Sequence, residues 1–315
     1  MAIACGRLVT ESGITLATST TPQALLLFFL ALSWHVWFPY LYGAVILALG
    51  LSSLARTEGL SKQGLYRVVR LAPVFIAVPI AVFGTDHFTD AKIVAAMVPP
   101  WLPGHMFWAY FVGVCLLAAA LSIASGKHVW LASALFGCMI CLFVLLIHIH
   151  NIFIEPHNRI LWVVALRDTA FAGGAFALSA QKGVWSSIAC DRMRTFARLS
   201  LGAAIMVFGI QQFLHPELLS GVPLEQSTPL WIPGRLLWSY LTGVIFVAAG
   251  ATMIVNRKVC LAATAAGLMT LLLVIVVYVP LLFSVPTDIG NGLNYVADTM
   301  LLCGSLLALA GAVQD

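Results

Sequence analysis

The chain has 315 residues, of which 61% are hydrophobic and 9% are charged, and its formal net charge is +4. Soluble domains carry about 25% charged residues, so this composition excludes a soluble globular fold and predicts a polytopic helical membrane protein in a lipid bilayer. The small positive charge gives no indication of a nucleic-acid partner. Seven cysteines, an odd number placed mostly inside apolar runs, do not indicate a disulfide framework.

The first apolar stretch, residues 24–54, is longer than a single crossing of the membrane requires. His35 and Pro39 interrupt it, and proline kinks or ends a helix. We therefore predict a kinked or interfacial lead-in followed by a span at about 38–55, with two short crossings as the alternative. A basic loop, residues 56–70, follows this first span.

Eight further apolar runs are each long enough to cross the hydrocarbon core. With the first span they give about nine transmembrane helices. The predicted spans cover residues 71–88, 106–125, 129–151 and 160–181 and, after a second basic link, residues 199–215, 236–255, 259–283 and 293–312. The links at Lys127 and at Arg257-Lys258 are very short, which predicts that the spans they join pack side by side and antiparallel.

An internal duplication relates the first four of these spans to the last four. Residues 98–114 and 228–244 align at an offset of 130, and eight of 17 positions are identical. The same offset aligns Asp168 with Asp298. Because a repeat at fixed spacing reflects a repeated structural unit, we divide the chain into an N-terminal segment, a first unit and a second unit. Their ranges are 1–69, 70–182 and 183–315.

The charges of the links predict the orientation of the chain. Alternate links carry eleven basic residues, whereas the other set, counted with the N-terminus, carries only four: Arg7, Lys92, Arg159 and Arg235. Since cytoplasmic loops are enriched in Lys and Arg, the C-terminus is predicted to be cytoplasmic. An even number of spans separates equivalent positions, so the two units are predicted to be parallel rather than inverted. The predicted fold is thus all-α, with two tandem parallel four-helix bundles after one N-terminal transmembrane helix.

Asp168 and Asp298 are the first candidates for a functional site. Each lies about two turns inside its span, and Arg167 precedes the first of them. A carboxylate at membrane depth is costly and marks a functional site by default. The alternative is a structural role, in which each acid forms a buried ion pair or hydrogen bond that holds its unit together.

Further polar and aromatic residues are predicted to line a cavity at the same end of the first unit. His148 ends the third span, Asp86 ends the first, and Trp108 and Tyr110 begin the second. Trp238 and Tyr240 repeat the two aromatic residues in the second unit, where Tyr278 replaces His148. The aromatic rings are alternatively interfacial anchors. No metal site is predicted, because His148 and His150 are spaced i, i+2 and point to different faces of the helix.

These motifs resemble those of the DoxX/DoxD-like four-helix membrane proteins. The resemblance rests on Phe83-Gly84, on Trp108 to Gly113, on Arg167-Asp168 and on Gly173-Gly174, and it runs twice, over about 70–182 and 196–313. It implies a bacterial inner-membrane protein, with a quinone as candidate cofactor and a redox subunit as candidate partner. Asp168 and His148 would then handle protons, while Arg167, Asp86, Asp298 and the aromatic residues would line the pocket. The alternative is a non-enzymatic scaffold or a binder of lipid or another small molecule.

We expect the links before and after the third span of the first unit, residues 129–151, to lie on opposite sides of the membrane. In a chain whose native cysteines have been replaced, Pro156→Cys should react with a membrane-impermeant maleimide in intact bacterial cells. Lys127→Cys should react only after permeabilisation, because its link belongs to the basic, cytoplasmic set. The reverse pattern would overturn the predicted orientation.

Overall fold

A computed structural model describes residues 33–56, 64–181 and 184–313. Within these ranges the protein is an all-α, multi-pass membrane protein. Nine of the described helical segments are long and apolar enough to cross a bilayer. The predicted lead-in before residue 33 lies outside the described residues.

An N-terminal helix, α1 (Trp34–Arg56), and a short connecting helix, α2 (Leu65–Val69), precede the first unit. The elements of the first unit, in chain order, are α3 (Ala72–Thr89), α4 (Ala91–Met97), α5 (His105–Ser125), α6 (Val129–Phe143), π1 (Val144–His148), α7 (Ile149–Ile154) and α8 (Arg159–Ala180). The π-helix π1 continues α6 into α7, so the third span of the unit is one long helix from Val129 to Ile154.

The second unit repeats this order, with a loop in place of α4. Its elements are α9 (Ser187–Leu214), α10 (Arg235–Ile254), α11 (Val259–Leu273), π2 (Val274–Tyr278), α12 (Val279–Ser284), π3 (Ile289–Leu293) and α13 (Asn294–Ala312). The two π-helices π1 and π2 lie 130 residues apart, which is the offset of the sequence repeat. Asn158 and Asp288, also 130 apart, each cap the helix that follows with a side-chain oxygen.

The clearest boundary difference concerns α9, which begins at Ser187 rather than near residue 199. The hydroxyl of Ser186 accepts a hydrogen bond from the backbone N–H of Ala189 and so caps the helix. Arg192, Arg194 and Arg198 of this link are therefore helical. Arg198, for example, donates to the carbonyls of Met253 and Ile254 at the end of α10, where a cation is favoured by the helix dipole.

The two units are interlocked. In each unit the first helix packs against the second and the third against the fourth. The first and fourth helices of the same unit barely touch. Instead α8 packs against α9, α13 packs against α3, and α8 and α13 pack against each other at the centre. The fourth helix of each unit thus completes the other unit, and α1 covers the outside of α3 and α5.

The contacts between α8 and α13 show that the units are parallel, as predicted. Arg167 binds Asp298, and Gly174, seven residues later, lies against Ser305, which is seven residues after Asp298. Contacts that advance together along both helices require that the helices run in the same direction. Gly174 also allows this close approach, since small residues let helix backbones meet in membranes.

The connections that precede the second span differ between the units. The first unit has the short helix α4, whereas the second has a loop, residues 216–228, that folds inward and that we name the inner loop. Leu219 and Val222 of the inner loop are fully buried, at 0% and 2% exposure. Before this loop the copies align at an offset of 125, Val82-Phe83-Gly84 with Val207-Phe208-Gly209, whereas after it the offset is 130. The second copy therefore has five additional residues here, and they allow the chain to enter its own unit.

Replacing Gly174 by alanine should destabilise the protein, because the new methyl group would overlap Ser305 and lie 2.5 Å from its Cα. We expect a loss of about 1–3 kcal/mol, typical of overpacking, measured by thermal unfolding in detergent. Gly43→Ala is the matched control, since its methyl group would meet only Val82 Cγ2 at 3.4 Å. Equal effects of the two substitutions would contradict the central packing of α8 on α13.

Candidate functional site

The predicted polar residues meet in one buried chain of ion pairs. Arg167 donates from Nε to Asp168 Oδ1 at 2.9 Å and from Nη1 to Asp298 Oδ2 at 2.8 Å. His148 Nε2 lies 2.7 Å from Asp168 Oδ2. Both aspartates are 8% exposed. A single guanidinium thus joins the equivalent carboxylates of the two units, and we name His148, Arg167, Asp168 and Asp298 the central network.

Local structure brings these four side chains together. Asp298 is at the start of α13, and Arg167 and Asp168 lie two turns inside α8. Neighbouring helical residues point about 100° apart, so Arg167 reaches across to α13 while staying beside Asp168. His148 is the last residue of π1. A π-helix changes the direction in which the following residues point and is often found at functional sites.

The charges of the central network explain its stability. Two carboxylates and one guanidinium have a net charge of −1 when His148 is neutral. An unpaired charge would be costly at this depth, and each carboxylate here has a cationic hydrogen-bond donor. Because a carboxylate only accepts hydrogen bonds, His148 Nε2 carries the proton in this contact. Protonation of the second ring nitrogen, Nδ1, would bring the network to neutrality.

His148 has an unused polar atom in the network. Among the described residues we find no hydrogen-bond partner for its Nδ1, and its side chain is 17% exposed. Arg167 donates to both carboxylates from Nε and Nη1, and its guanidinium lies 5.6 Å from the centre of the Phe171 ring. His148 Nδ1 is therefore one atom through which an external molecule can bind the network.

The second unit closes the equivalent position. Tyr278, which replaces His148, is fully buried, and its hydroxyl donates to the carbonyl of Ser220 in the inner loop at 2.8 Å. Gln212 Nε2 also donates to the inner loop, at the carbonyl of Leu219. The apolar side chains of Leu219 and Val222 complete the filling. In the second unit, residues of the inner loop thus fill this position.

The same positions in the first unit are more accessible. Val277, Tyr278 and Leu281 are buried in the second unit, whereas their counterparts Ile147, His148 and Asn151 are partly exposed. The offset of 130 makes this comparison residue by residue. The first unit therefore keeps a partly open polar position that the duplicate fills with its own chain.

The repeated aromatic residues occupy the turn that enters the second span of each unit. Trp108 Nε1 donates to the carbonyl of Pro103 at 3.0 Å, and Trp238 Nε1 donates to Pro233 at 3.2 Å. Gly104 and Gly234 in these turns adopt φ of 75° and 66°, which glycine alone tolerates readily. The repeated Pro-Gly sequence and the tryptophan four residues after it are thus accounted for by turn geometry.

Tyr110 and Tyr240 stack on Phe88 and Phe213, one pair in each unit. Both tyrosines are more than 40% exposed. No hydrogen bond, ion pair or ring contact between the described residues joins Trp108 or Tyr110 to His148 or Asp168. The role of these rings in packing a bound molecule stays a prediction, and the geometry gives them a structural role in both units.

Asp86 lies in a different place from His148. It lines an open cleft of about 680 Å³ between the N-terminus of α1, the end of α3, α4 and the segment before α13. We name this the acidic cleft. Its polar lining includes His35, Asp86, Asp90, Asp288 and Asn294. The structure therefore divides the predicted polar residues between the central network and the acidic cleft.

One residue with a clear role escaped the sequence analysis. Arg159, at the start of α8, donates to Gln211 Oε1 and to the carbonyls of Pro223 and Leu224 in the inner loop, at 2.6–3.1 Å. It is one of only four basic residues in its set of links, and this was the available signal. The sequence did not show that its partners would be backbone carbonyls of a distant loop.

Comparison with protein-family models, with curated proteins and with solved structures finds no match for this chain.

Arg167→Gln should be the most destabilising single substitution in the central network, because it leaves two buried carboxylates without their shared cation. We expect a loss of roughly 3–5 kcal/mol, the cost of breaking a buried ion pair. Asp298→Asn should cost less, since Arg167 keeps Asp168. The double variant should recover part of the loss. Thermal unfolding in detergent measures all three.

Arg194→Gln is the matched control, since it breaks an ion pair with Asp191 near the start of α9, where Asp191 is largely exposed. Surface pairs of this kind contribute about 0–1 kcal/mol. If Arg167→Gln were no worse than this control, the central network would not hold the two units together.

Proposed function

We propose that the chain is a DoxX-like membrane protein whose first unit binds a lipophilic, oxygen-bearing molecule, a quinone, beside His148, and that it acts as a component of an oxidoreductase. The observation that carries the proposal is the difference between the two copies. The first has a partly exposed imidazole on a buried carboxylate, and the second has a buried tyrosine covered by the inner loop.

The inner loop supports the choice of ligand. In the second unit the occupant is an apolar segment that presents a carbonyl oxygen to the Tyr278 hydroxyl. A quinone likewise combines an apolar body with carbonyl oxygens, and a lipid-soluble molecule reaches this position from the bilayer. His148 in place of Tyr278 adds an imidazole, whose second ring nitrogen can donate or accept a hydrogen bond.

The residues present fit a quinone or its quinol in both redox forms. Doubly protonated His148 donates from Nδ1 to a carbonyl oxygen, whereas neutral His148 accepts there from a hydroxyl. Asp168 holds the opposite ring nitrogen and stabilises the imidazolium, as buried carboxylates do for catalytic histidines. The bound quinone supplies the two-electron chemistry, and a partner redox subunit would exchange the electrons.

Arg167 has a positioning role in this proposal. It fixes Asp168 through Nε and is itself held by Asp298 through Nη1. The carboxylate that supports His148 is therefore oriented by the second unit, which keeps its own aspartate for that purpose. This division explains why both copies have the acid while only the first has the histidine.

The alternative function is a non-enzymatic scaffold or a binder of lipid or another small molecule. The observation that favours it is the bridge from Arg167 to Asp298, which joins the units and would stabilise the fold without any chemistry. We place the protein, in either case, in a bacterial inner membrane with its C-terminus in the cytoplasm, following the basic links and the DoxX-like resemblance.

His148→Phe should abolish binding of a short-chain quinone to the purified protein in lipid nanodiscs, because the ring then offers no polar atom to the ligand. Quenching of intrinsic tryptophan fluorescence measures the binding. Tyr278→Phe is the matched control at the equivalent position and should bind normally. Quenching that is the same in His148→Phe and in the parent protein would remove His148 from the site.

Asp168→Asn should leave the protein inserted in the membrane and lower quinone reduction in membranes roughly 100-fold or more, the usual range for loss of a proton-transfer group. Normal activity at normal membrane abundance would contradict the proposal. Such a result would favour the scaffold.

A further inference from the structure

We infer that the acidic cleft binds a small organic cation with N–H donors, a guanidinium or a primary amine. The inference is independent of the site at His148, since neither His148 nor Asp168 lines this cleft. It rests on the internal duplication, on the acceptors that line the cleft and on Arg159, which fills the equivalent position at the interface between α8 and α9.

The duplication assigns a counterpart to each wall of the cleft. The end of α3 corresponds to the end of α9 at an offset of 125, so Asp86 corresponds to Gln211. The start of π3 corresponds to the start of α8 at an offset of 130, so Ile289 corresponds to Arg159. The capping residues Asn158 and Asp288 confirm this second correspondence.

A guanidinium occupies the counterpart of the cleft. Arg159 Nη1 donates to Gln211 Oε1 at 3.1 Å and to the carbonyl of Pro223 at 2.6 Å, and Nη2 donates to the carbonyl of Leu224 at 2.8 Å. The interface between α8 and α9 is thus closed by a cation that belongs to the chain. The equivalent interface between α13 and α3 has Ile289, which has no donor to offer.

The interface between α3 and α13 also carries more negative charge at these positions than the interface between α8 and α9. Asp86, Asp90 and Asp288 line the acidic cleft, and His35 is the basic-type side chain beside them. Asp288 already accepts from the backbone N–H and the side chain of Asn291, and Asp90 accepts from the Thr89 hydroxyl. Asp86 corresponds to Gln211, the residue that accepts a hydrogen bond from the Arg159 guanidinium in the other interface. Asp86 is therefore the carboxylate that a bound cation would contact.

Two buried acceptors in the cleft lining lack donors. Among the described residues, Asp86 Oδ1 and Asn294 Oδ1 are buried oxygen atoms without a hydrogen-bond partner, although the side chains of Asp86 and Asn294 also interact with each other. Leaving a buried polar atom unpaired is costly, and more so when the group is charged. A ligand with several N–H donors satisfies both oxygens and neutralises Asp86, as Arg159 does for the acceptors around it.

The apolar part of the lining limits the size of the ligand. Ile93, Val94 and Met97 of α4 face the cleft from one side, opposite Ile289. A short alkyl chain attached to the cationic group would contact them. The cleft of about 680 Å³ falls within the usual range for small-molecule sites, so the matching class is an alkyl guanidine or alkyl amine.

The test is calorimetric titration of the full-length protein in detergent with n-butylguanidinium. We expect saturable binding that weakens about tenfold or more in Asp86→Asn, because a hydrogen bond to a charged group is lost. Ile289→Arg should also abolish binding, since it supplies the chain's own cation as Arg159 does in the other unit. Asp191→Asn, a carboxylate outside the cleft, should bind as the parent does.

Tetramethylammonium, a cation without N–H donors, should not bind to the parent protein. Absence of butylguanidinium binding would overturn the inference, as would equal binding in Asp86→Asn, in Ile289→Arg and in the parent. Equal binding of the two cations would also overturn it, because the site would then respond to charge alone. Thermal unfolding of each variant confirms that it is folded before titration.

Discussion

The shared cation at the centre of the molecule is the interaction on which the rest of the structure depends. Arg167 satisfies one carboxylate from each unit in a region where an unpaired charge would be very costly. This contact sets the register of α8 against α13, and the packing of Gly174 on Ser305 shows that the two helices run in parallel. Orientation, interlocking of the units and support of His148 all follow from that geometry.

Duplication with divergence explains how a symmetric scaffold carries an asymmetric site. Both copies retain the aspartate, the π-helix and the aromatic turn, which serve the fold. The second copy fills its interior with the inner loop and with Tyr278, and Arg159 of the first copy closes the interface between α8 and α9. The first copy leaves a partly exposed imidazole, and the interface between α3 and α13 keeps an acidic cleft. Each candidate site thus has an internal counterpart that indicates what a ligand would satisfy.

The sequence predicted the parts of the fold that depend on composition and repetition. About nine spans follow from apolar length, and the described ranges contain nine such helices. The parallel orientation predicted for the two copies agrees with the contacts between α8 and α13. α9 begins earlier than predicted, because its charged residues were interpreted as part of a link. The cap at Ser186 instead starts the helix before them. Asp168 and Asp298 were recognised as buried acids. Their joining by Arg167 was not, because a pair of residues 131 apart leaves no local pattern.

The π-helices and the inner loop show a second limit of sequence reasoning. A π-helix has no simple sequence signature, yet its position determines where His148 points. The five additional residues of the inner loop were visible, but their inward path depends on hydrogen bonds to Tyr278 and Arg159 that appear only in three dimensions. The separation of Asp86 from His148 could not be predicted either, because it also depends on contacts between distant parts of the chain.

The most direct measurement for the central claim is an experimental density map of the protein in lipid nanodiscs, at a resolution that defines side chains. The account predicts continuous density from the Arg167 guanidinium to both Asp168 and Asp298, with His148 on the far side of Asp168. A map in which Asp298 faces lipid, or in which Arg167 contacts only one of the two carboxylates, would contradict it.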